Sequence, residues 1–168
     1  MTNIVVLSDS HVRAGSPRRL PDLAYEALDR ADLVLHAGDV VSGDFLHELG
    51  GFAPVRAVLG NNDVDLVGVL PEEERFDVDG VSIAMVHDSG ARTGRADRLH
   101  RRFPDADVVV FGHSHDPVDE LGVGDQRLFN PGSPTQRRRQ PHHTIGLLRV
   151  DEGRVIDHAI VVVDPTGA

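Results

Sequence analysis

The stretch Asn3-Ile4-Val5-Val6-Leu7-Ser8-Asp9-Ser10-His11 joins a short β-branched apolar run to a cluster of small polar, acidic and imidazole side chains. Such a run, bounded by turn-forming residues, reads as a buried strand. The same pattern recurs along the chain. Residues 32–36 close at Ala37-Gly38-Asp39, and residues 54–59 close at Gly60-Asn61-Asn62-Asp63. Residues 81–86 end at His87-Asp88-Ser89-Gly90, and residues 108–111 end at Gly112-His113-Ser114-His115. In open α/β sheets, ligands sit beyond the carboxyl ends of the strands. Five such strands running parallel within a pair of sheets would bring all five polar ends to one rim.

Helical signals fall between these strands. Ser16-Pro17 predicts a helix start, with Leu20, Leu23, Ala24, Ala27, Leu28 and Ala31 forming one apolar stripe behind it. A shorter helix is expected from about Ser42, carrying Phe45, Leu46 and Leu49 and stopped by Gly50-Gly51. Ala96, Leu99, His100 and Phe103 give a third stripe. Asp79-Gly80 between residues 75–78 and 81–86 is a two-residue hairpin signal. Beyond Asp116 the pattern predicts only strands and turns, over residues 118–121, 127–129, 144–150 and 154–163. The expected fold is therefore α/β: two packed sheets with helices outside, in a single domain spanning residues 1–168.

Composition narrows the function. With 40% apolar residues, 168 residues can bury a real core. The longest apolar run, Ala159 to Val163, is far short of the ~20 residues a membrane helix needs. No basic, apolar leader precedes Ile4, so the expected location is the cytoplasm, with no membrane partner. The absence of cysteine excludes disulfides, thiolate metal sites and cysteine nucleophiles. A formal charge of −10, from 27 carboxylates against 17 basic residues, argues against stable nucleic-acid binding. The ten histidines, several close to aspartates, point elsewhere.

Asp9, His11, Asp39, Asn61, His87, His113 and His115 offer carboxylate, imidazole and amide donors without sulfur. That mixture suits manganese, iron, zinc, cobalt or nickel. It is too large for one ordinary site but fits two ions sharing a carboxylate, for which Asp39 is the natural bridge. Two ions about 3.5–4 Å apart activate a water and clamp a phosphoryl group.

Asp9-Ser10-His11, Gly38-Asp39, Gly60-Asn61-Asn62-Asp63, His87 and Gly112-His113-Ser114-His115 resemble, in order and spacing, the motifs of the calcineurin-like metallophosphoesterases. Asn130-Pro131-Gly132-Ser133 is similar to the small YfcE-like phosphodiesterase branch. The resemblance implies a four-layer α-β-β-α sandwich. It implies one metal on Asp9, His11, Asp39 and His115, and a second on Asp39, Asn61, His87 and His113. Two divalent ions are expected, manganese first, with iron, zinc or nickel as alternatives. Asp39, Asn61 and His87 are the expected catalytic residues. They would act on a small phosphate diester through a hydroxide held between the ions. A phosphomonoesterase with the same site, or a non-catalytic scaffold like the retromer subunit of this fold, are the alternatives, and oligomeric state is left open.

Two positions depart from the family pattern. Many of its phosphatases carry, after the ligand asparagine, a histidine proposed to protonate the leaving group; here Asn62 stands there and cannot donate a proton at neutral pH. After His87 the family commonly has glycine, whereas this chain has Asp88, which would either orient a ligand histidine or repel phosphate. Asp63 is expected to support its loop. Arg137-Arg138-Arg139 is expected to be a solvated turn, with the holding of a second phosphate as the alternative. His36, His47, His100, His142, His143 and His158 are expected to be structural or surface residues.

Overall fold

The computed structural model describes residues 1–164. Strands β1 (Thr2–Leu7), β2 (Leu33–His36) and β3 (Val55–Ala57) run parallel. They share a five-stranded sheet with β9 (Thr144–Asp151) and β10 (Arg154–Val162), in the order β10-β9-β1-β2-β3. The second sheet has the order β4-β5-β6-β8-β7, from β4 (Glu73–Val78), β5 (Val81–Val86), β6 (Val108–Val110), β7 (Val118–Leu121) and β8 (Arg127–Asn130). Its three central strands, β5, β6 and β8, are parallel, and its two edges are antiparallel.

Alternation along the strands explains the layering. Ile4 and Val6 of β1, Ile83 and Met85 of β5, and Val108 and Val110 of β6 point inward and form a core between the sheets. Their neighbours Val5 and Leu7 face α1 (Asp22–Leu28) and α2 (Gly43–Gly50), which cover the first sheet with Ala24, Leu28, Phe45 and Leu49. Ala84, Val109 and Phe111 face α3 (Arg95–Arg102) through Leu99 and Phe103. Because successive strand side chains take opposite faces, strands apolar on both sides fit only between two covering layers. The result is the α-β-β-α sandwich, a mixed α/β domain with three α-helices among the described residues.

Two expectations are corrected. Ser16 does not start α1; its Oγ accepts from the Arg18 N–H in a turn (3.1 Å), and the helix begins after Pro21, whose φ of −59° and ψ of 151° lie outside the helix. A residue preceding proline is pushed out of the helical region, and Leu20, though buried, lies outside the helix. Strand β3 ends at Ala57 because the Leu59 N–H turns away to the Pro71 carbonyl. Two short 3-10 turns, Val64–Leu66 and Val123–Asp125, interrupt segments that carried no helical periodicity. By contrast, α2 starts at Ser42, whose Oγ accepts from the Phe45 N–H.

Candidate metal centre

The carboxyl ends of β1, β2, β3, β5 and β6 meet where the two sheets share a rim. Backbone bonds carry the strand registers past their ends: Asp9 N–H reaches the Gly38 carbonyl (2.9 Å), His11 N–H reaches Asp39 (3.0 Å), and Gly112 N–H reaches His87 (2.9 Å). All seven candidate ligands are gathered there. Donor atoms of Asp9, His11 and His115 lie within 4.8 Å of one another, as do those of Asp9, Asp39 and His87. Asp39 Oδ2 stands 3.5 Å from His11 Nε2 and 3.6 Å from His87 Nε2. Asn61 Oδ1 completes the second half, 3.1 Å from His87 Nε2 and 3.0 Å from His113 Nδ1.

Hydrogen bonding behind the cluster decides which atoms face it. His87 Nδ1 lies 2.6 Å from the Ala37 carbonyl, and His115 Nδ1 abuts the Gln136 carbonyl. A carbonyl can only accept, so each Nδ1 carries the proton and each Nε2 presents a lone pair inward. Asp9 Oδ2 accepts from Ser8 Oγ (2.7 Å) and the His113 N–H (2.9 Å), which leaves Oδ1 turned to the cluster. Burial pushes the His11 imidazole below its ordinary pKa, keeping it neutral. Burial opposes ionisation of Asp9, while the Ser8 hydroxyl bonded to Oδ2 favours the carboxylate.

The donor set fits divalent ions. Asp9 Oδ1, His11 Nε2 and His115 Nε2 are buried without a hydrogen-bond partner among the described residues. Burying such atoms unpaired is costly, and a shared cation satisfies all three together. Asp9, His11, Asp39, His113 and His115 also share positive φ, between 47° and 67°. Aspartate and histidine tolerate this left-handed region better than most residues. It turns each side chain off its strand axis toward the rim.

Two glycines permit the close approach. A Cβ on Gly60 would stand 2.1 Å from the Asp39 nitrogen, and one on Gly112 would stand 1.9 Å from Ser8 Oγ. Asp63, fully buried, has its carboxylate filled by backbone donors: Asp39 N–H (2.9 Å) and Gly60 N–H (2.7 Å) on Oδ2, and Val41 N–H (2.6 Å) on Oδ1. It therefore supports the loop, as its position after Asn61-Asn62 suggested.

A second support escaped the sequence reading. The segment after Asn130 folds over the cluster: Ser133 Oγ donates to the Asp9 carbonyl (2.8 Å), Thr135 Oγ1 donates to the Ser10 carbonyl (2.5 Å), and Asn130 Nδ2 donates to the Gly112 carbonyl (3.1 Å). Only the motif Asn130-Pro131-Gly132-Ser133 hinted at it, since contacts across more than a hundred residues leave no periodicity. Asp88 bonds no ligand histidine; its Oδ1 accepts from the Gly90 N–H (2.7 Å) in its own exposed turn.

The remaining histidines lie outside the cluster. His36 is buried with Nε2 on Ser10 Oγ (2.9 Å). His47 is exposed on α2 and His100 half-buried on α3. His142 lies 3.8 Å from the Asp164 carboxylate, and His143 Nδ1 bonds it at 2.7 Å. His158 Nδ1 bonds Asp119 (2.6 Å) and so ties β10 to β7. Of the arginine run, Arg137 donates to the Gln140 carbonyl (2.8 Å), and Arg138 reaches the rim at the His113 carbonyl (3.3 Å).

Residues 2–153 match the calcineurin-like phosphoesterase superfamily domain, and the chain belongs to that family. It is similar to a probable metallophosphoesterase of Methanothermobacter thermautotrophicus, 34% identical over 163 residues that cover 94% of this chain and 91% of the relative. Its fold resembles that of a novel archaeal phosphodiesterase (TM-score 0.71, 22% identity, covering 95% of this chain and 99% of that one). Vps29 from Entamoeba histolytica, solved in complex with zinc, shares the fold too (TM-score 0.73, 23% identity, covering 96% of this chain and 99% of that one). The family is metal-dependent and hydrolyses phosphoesters. No helix among the described residues is long and apolar enough to cross a membrane.

Proposed function

We propose that the chain, acting in the cytoplasm as a single domain, is a phosphodiesterase of small phosphate diesters that works with two divalent ions, manganese first among them. Asp9, His11, Asp39 and His115 would hold one ion, and Asp39, Asn61, His87 and His113 the other. The observation that carries this reading is the position of Asp39 Oδ2, within 3.6 Å of one histidine from each set. Bound ions supply an activated water and neutralise charge on the phosphoryl oxygens.

The chain's own residues orient that chemistry. Asp39 faces both halves of the site. His87 and His115 are fixed by backbone carbonyls so that only Nε2 can ligate. Asn62 occupies the place of a leaving-group acid without being able to serve as one, which favours esters with stable leaving groups. The archaeal phosphodiesterase fold and the Asn130-Pro131-Gly132-Ser133 motif support a diester over a monoester.

The test is a hydrolysis panel of bis(4-nitrophenyl) phosphate against 4-nitrophenyl phosphate with manganese, magnesium and nickel. The diester is expected to turn over faster, and Asp39→Asn is expected to abolish turnover and lower bound metal. Faster monoester cleavage would overturn the diester reading. Protein that binds no metal and cleaves neither ester would be a scaffold.

A further inference from the structure

We infer that Arg18 and Arg138 form a two-sided anion clamp at the rim, selecting phosphate esters that carry a second phosphoryl group beside the reacting one. The inference rests on the phosphodiesterase reading and names its substrate class. Arg18 Nη1 donates to the His11 carbonyl (3.4 Å), and Arg138 Nη1 donates to the His113 carbonyl (3.3 Å). One guanidinium therefore stands at each half of the candidate metal set, on loops remote in sequence.

Three features make these arginines available. Both are exposed. Each spends one long hydrogen bond on the protein, leaving most of its five N–H donors free. The arginine ion pairs among the described residues involve Arg19, Arg56, Arg75, Arg102, Arg127 and Arg149, not these two.

There is also room for a second group. A depression of about 350 Å³ opens between the loop carrying Arg13, Arg18 and Arg19 and the start of α2. Its carboxylates are Asp44 and Glu48, and Glu48 already accepts from the Tyr25 hydroxyl (2.6 Å). Arg18 and Val12, the residue after His11, line this depression, and Arg18 also bonds the His11 carbonyl. Both guanidiniums engage backbone carbonyls rather than ring nitrogens. The N–H donors left over form a fork that suits a phosphate.

The test uses manganese-loaded protein and two esters with one leaving group: thymidine 5′-(4-nitrophenyl phosphate) and the same ester bearing a 3′-phosphate. The 3′-phosphorylated ester is expected to show a KM lower by about tenfold. Arg18→Gln and Arg138→Gln should each shrink that ratio, and the double variant should bring it close to one; the lysine variants should keep part of it. Calorimetric binding of thymidine 3′,5′-bisphosphate against thymidine 5′-monophosphate should show the same split. Equal KM values with native protein would overturn the clamp. So would variants that weaken both esters equally, because the arginines would then only brace the histidine carbonyls. Cleavage of neither ester defeats the phosphodiesterase reading instead, and the calorimetric comparison then decides the clamp.

Discussion

Asn62 grips both oxygens of Asp39: its backbone N–H donates to Oδ1 (2.8 Å) and its side-chain amide donates to Oδ2 (2.7 Å). The amide that replaces a proton donor is thus committed to aiming the carboxylate that faces both halves of the site. Two charge-assisted bonds fix the plane of Asp39 more tightly than packing alone. The residue that stands in the place of a general acid would also steady the carboxylate of the proposed metal platform.

Leaving-group dependence follows from this exchange. General acids typically contribute 10²–10⁴-fold, so an enzyme without one suffers as the leaving group becomes more basic. Diphenyl phosphate is expected to be cleaved on the order of 10²-fold or more slowly than bis(4-nitrophenyl) phosphate. Similar rates would show that another group protonates the leaving oxygen.

Asp63→Asn should destabilise the fold. Asp63 receives three backbone N–H groups, and an asparagine would turn an NH2 toward one or two of them. Charged acceptors are worth about 1.5–3 kcal/mol each, but these share one carboxylate, so a total loss of about 2–4 kcal/mol is expected. Urea unfolding of metal-free protein measures it; an unmoved midpoint would remove Asp63 from the supporting frame.

Glycine approach can be tested without touching a ligand. Gly60→Ala would drive a methyl against Asp39, and Gly112→Ala would drive one against Ser8 Oγ, the donor to Asp9. Both are expected to weaken manganese binding by about 10–100-fold, as for loss of a ligand's supporting contacts. Gly43→Ala, which meets nothing within 4 Å, should bind normally. Calorimetric titration separates the three.

His36 should make stability fall with acid. Burial lowers its pKa to about 3, against an ordinary 6.5. The unfolded chain therefore takes up a proton that the folded chain refuses. The stabilisation is full above pH 6.5 and is lost progressively as pH falls toward 3. From pH 7 to pH 5 this group should cost about 2 kcal/mol. Urea unfolding with EDTA should show a shallower pH dependence for His36→Gln; an identical slope would assign the acid sensitivity elsewhere.

The sequence disclosed the donors better than the frame around them. Strand ends with aspartate and histidine could be seen because β-branched runs stop abruptly and parallel strands present their carboxyl ends together. Val108–Val110 and the residues behind it are a case where pattern and position agree. The α1 boundary misled because Ser16-Pro17 and Pro21 offer competing starts, and only packing of Ala24 and Leu28 selects the second. Asn62 could be seen as a missing acid but not as a clamp, since its partner lies 23 residues earlier on another loop. Arg18 lies where Ser16-Pro17 reads as a helix start, so nothing in the sequence signals its contact with the His11 carbonyl.

The hydrogen bonds that close the rim join residues 104, 124 and 125 apart: His113 to Asp9, Ser133 to Asp9, and Thr135 to Ser10. Pairings of such separation form late, because loop closure must be met before they return anything. A chain still emerging from synthesis would hold Asp9, His11 and Asp39 on its first sheet, with neither His113 nor His115 to complete either pocket. If the rim holds ions as proposed, their capture would come only after the first strands and the segment beyond Asn130 have met, at the end of folding.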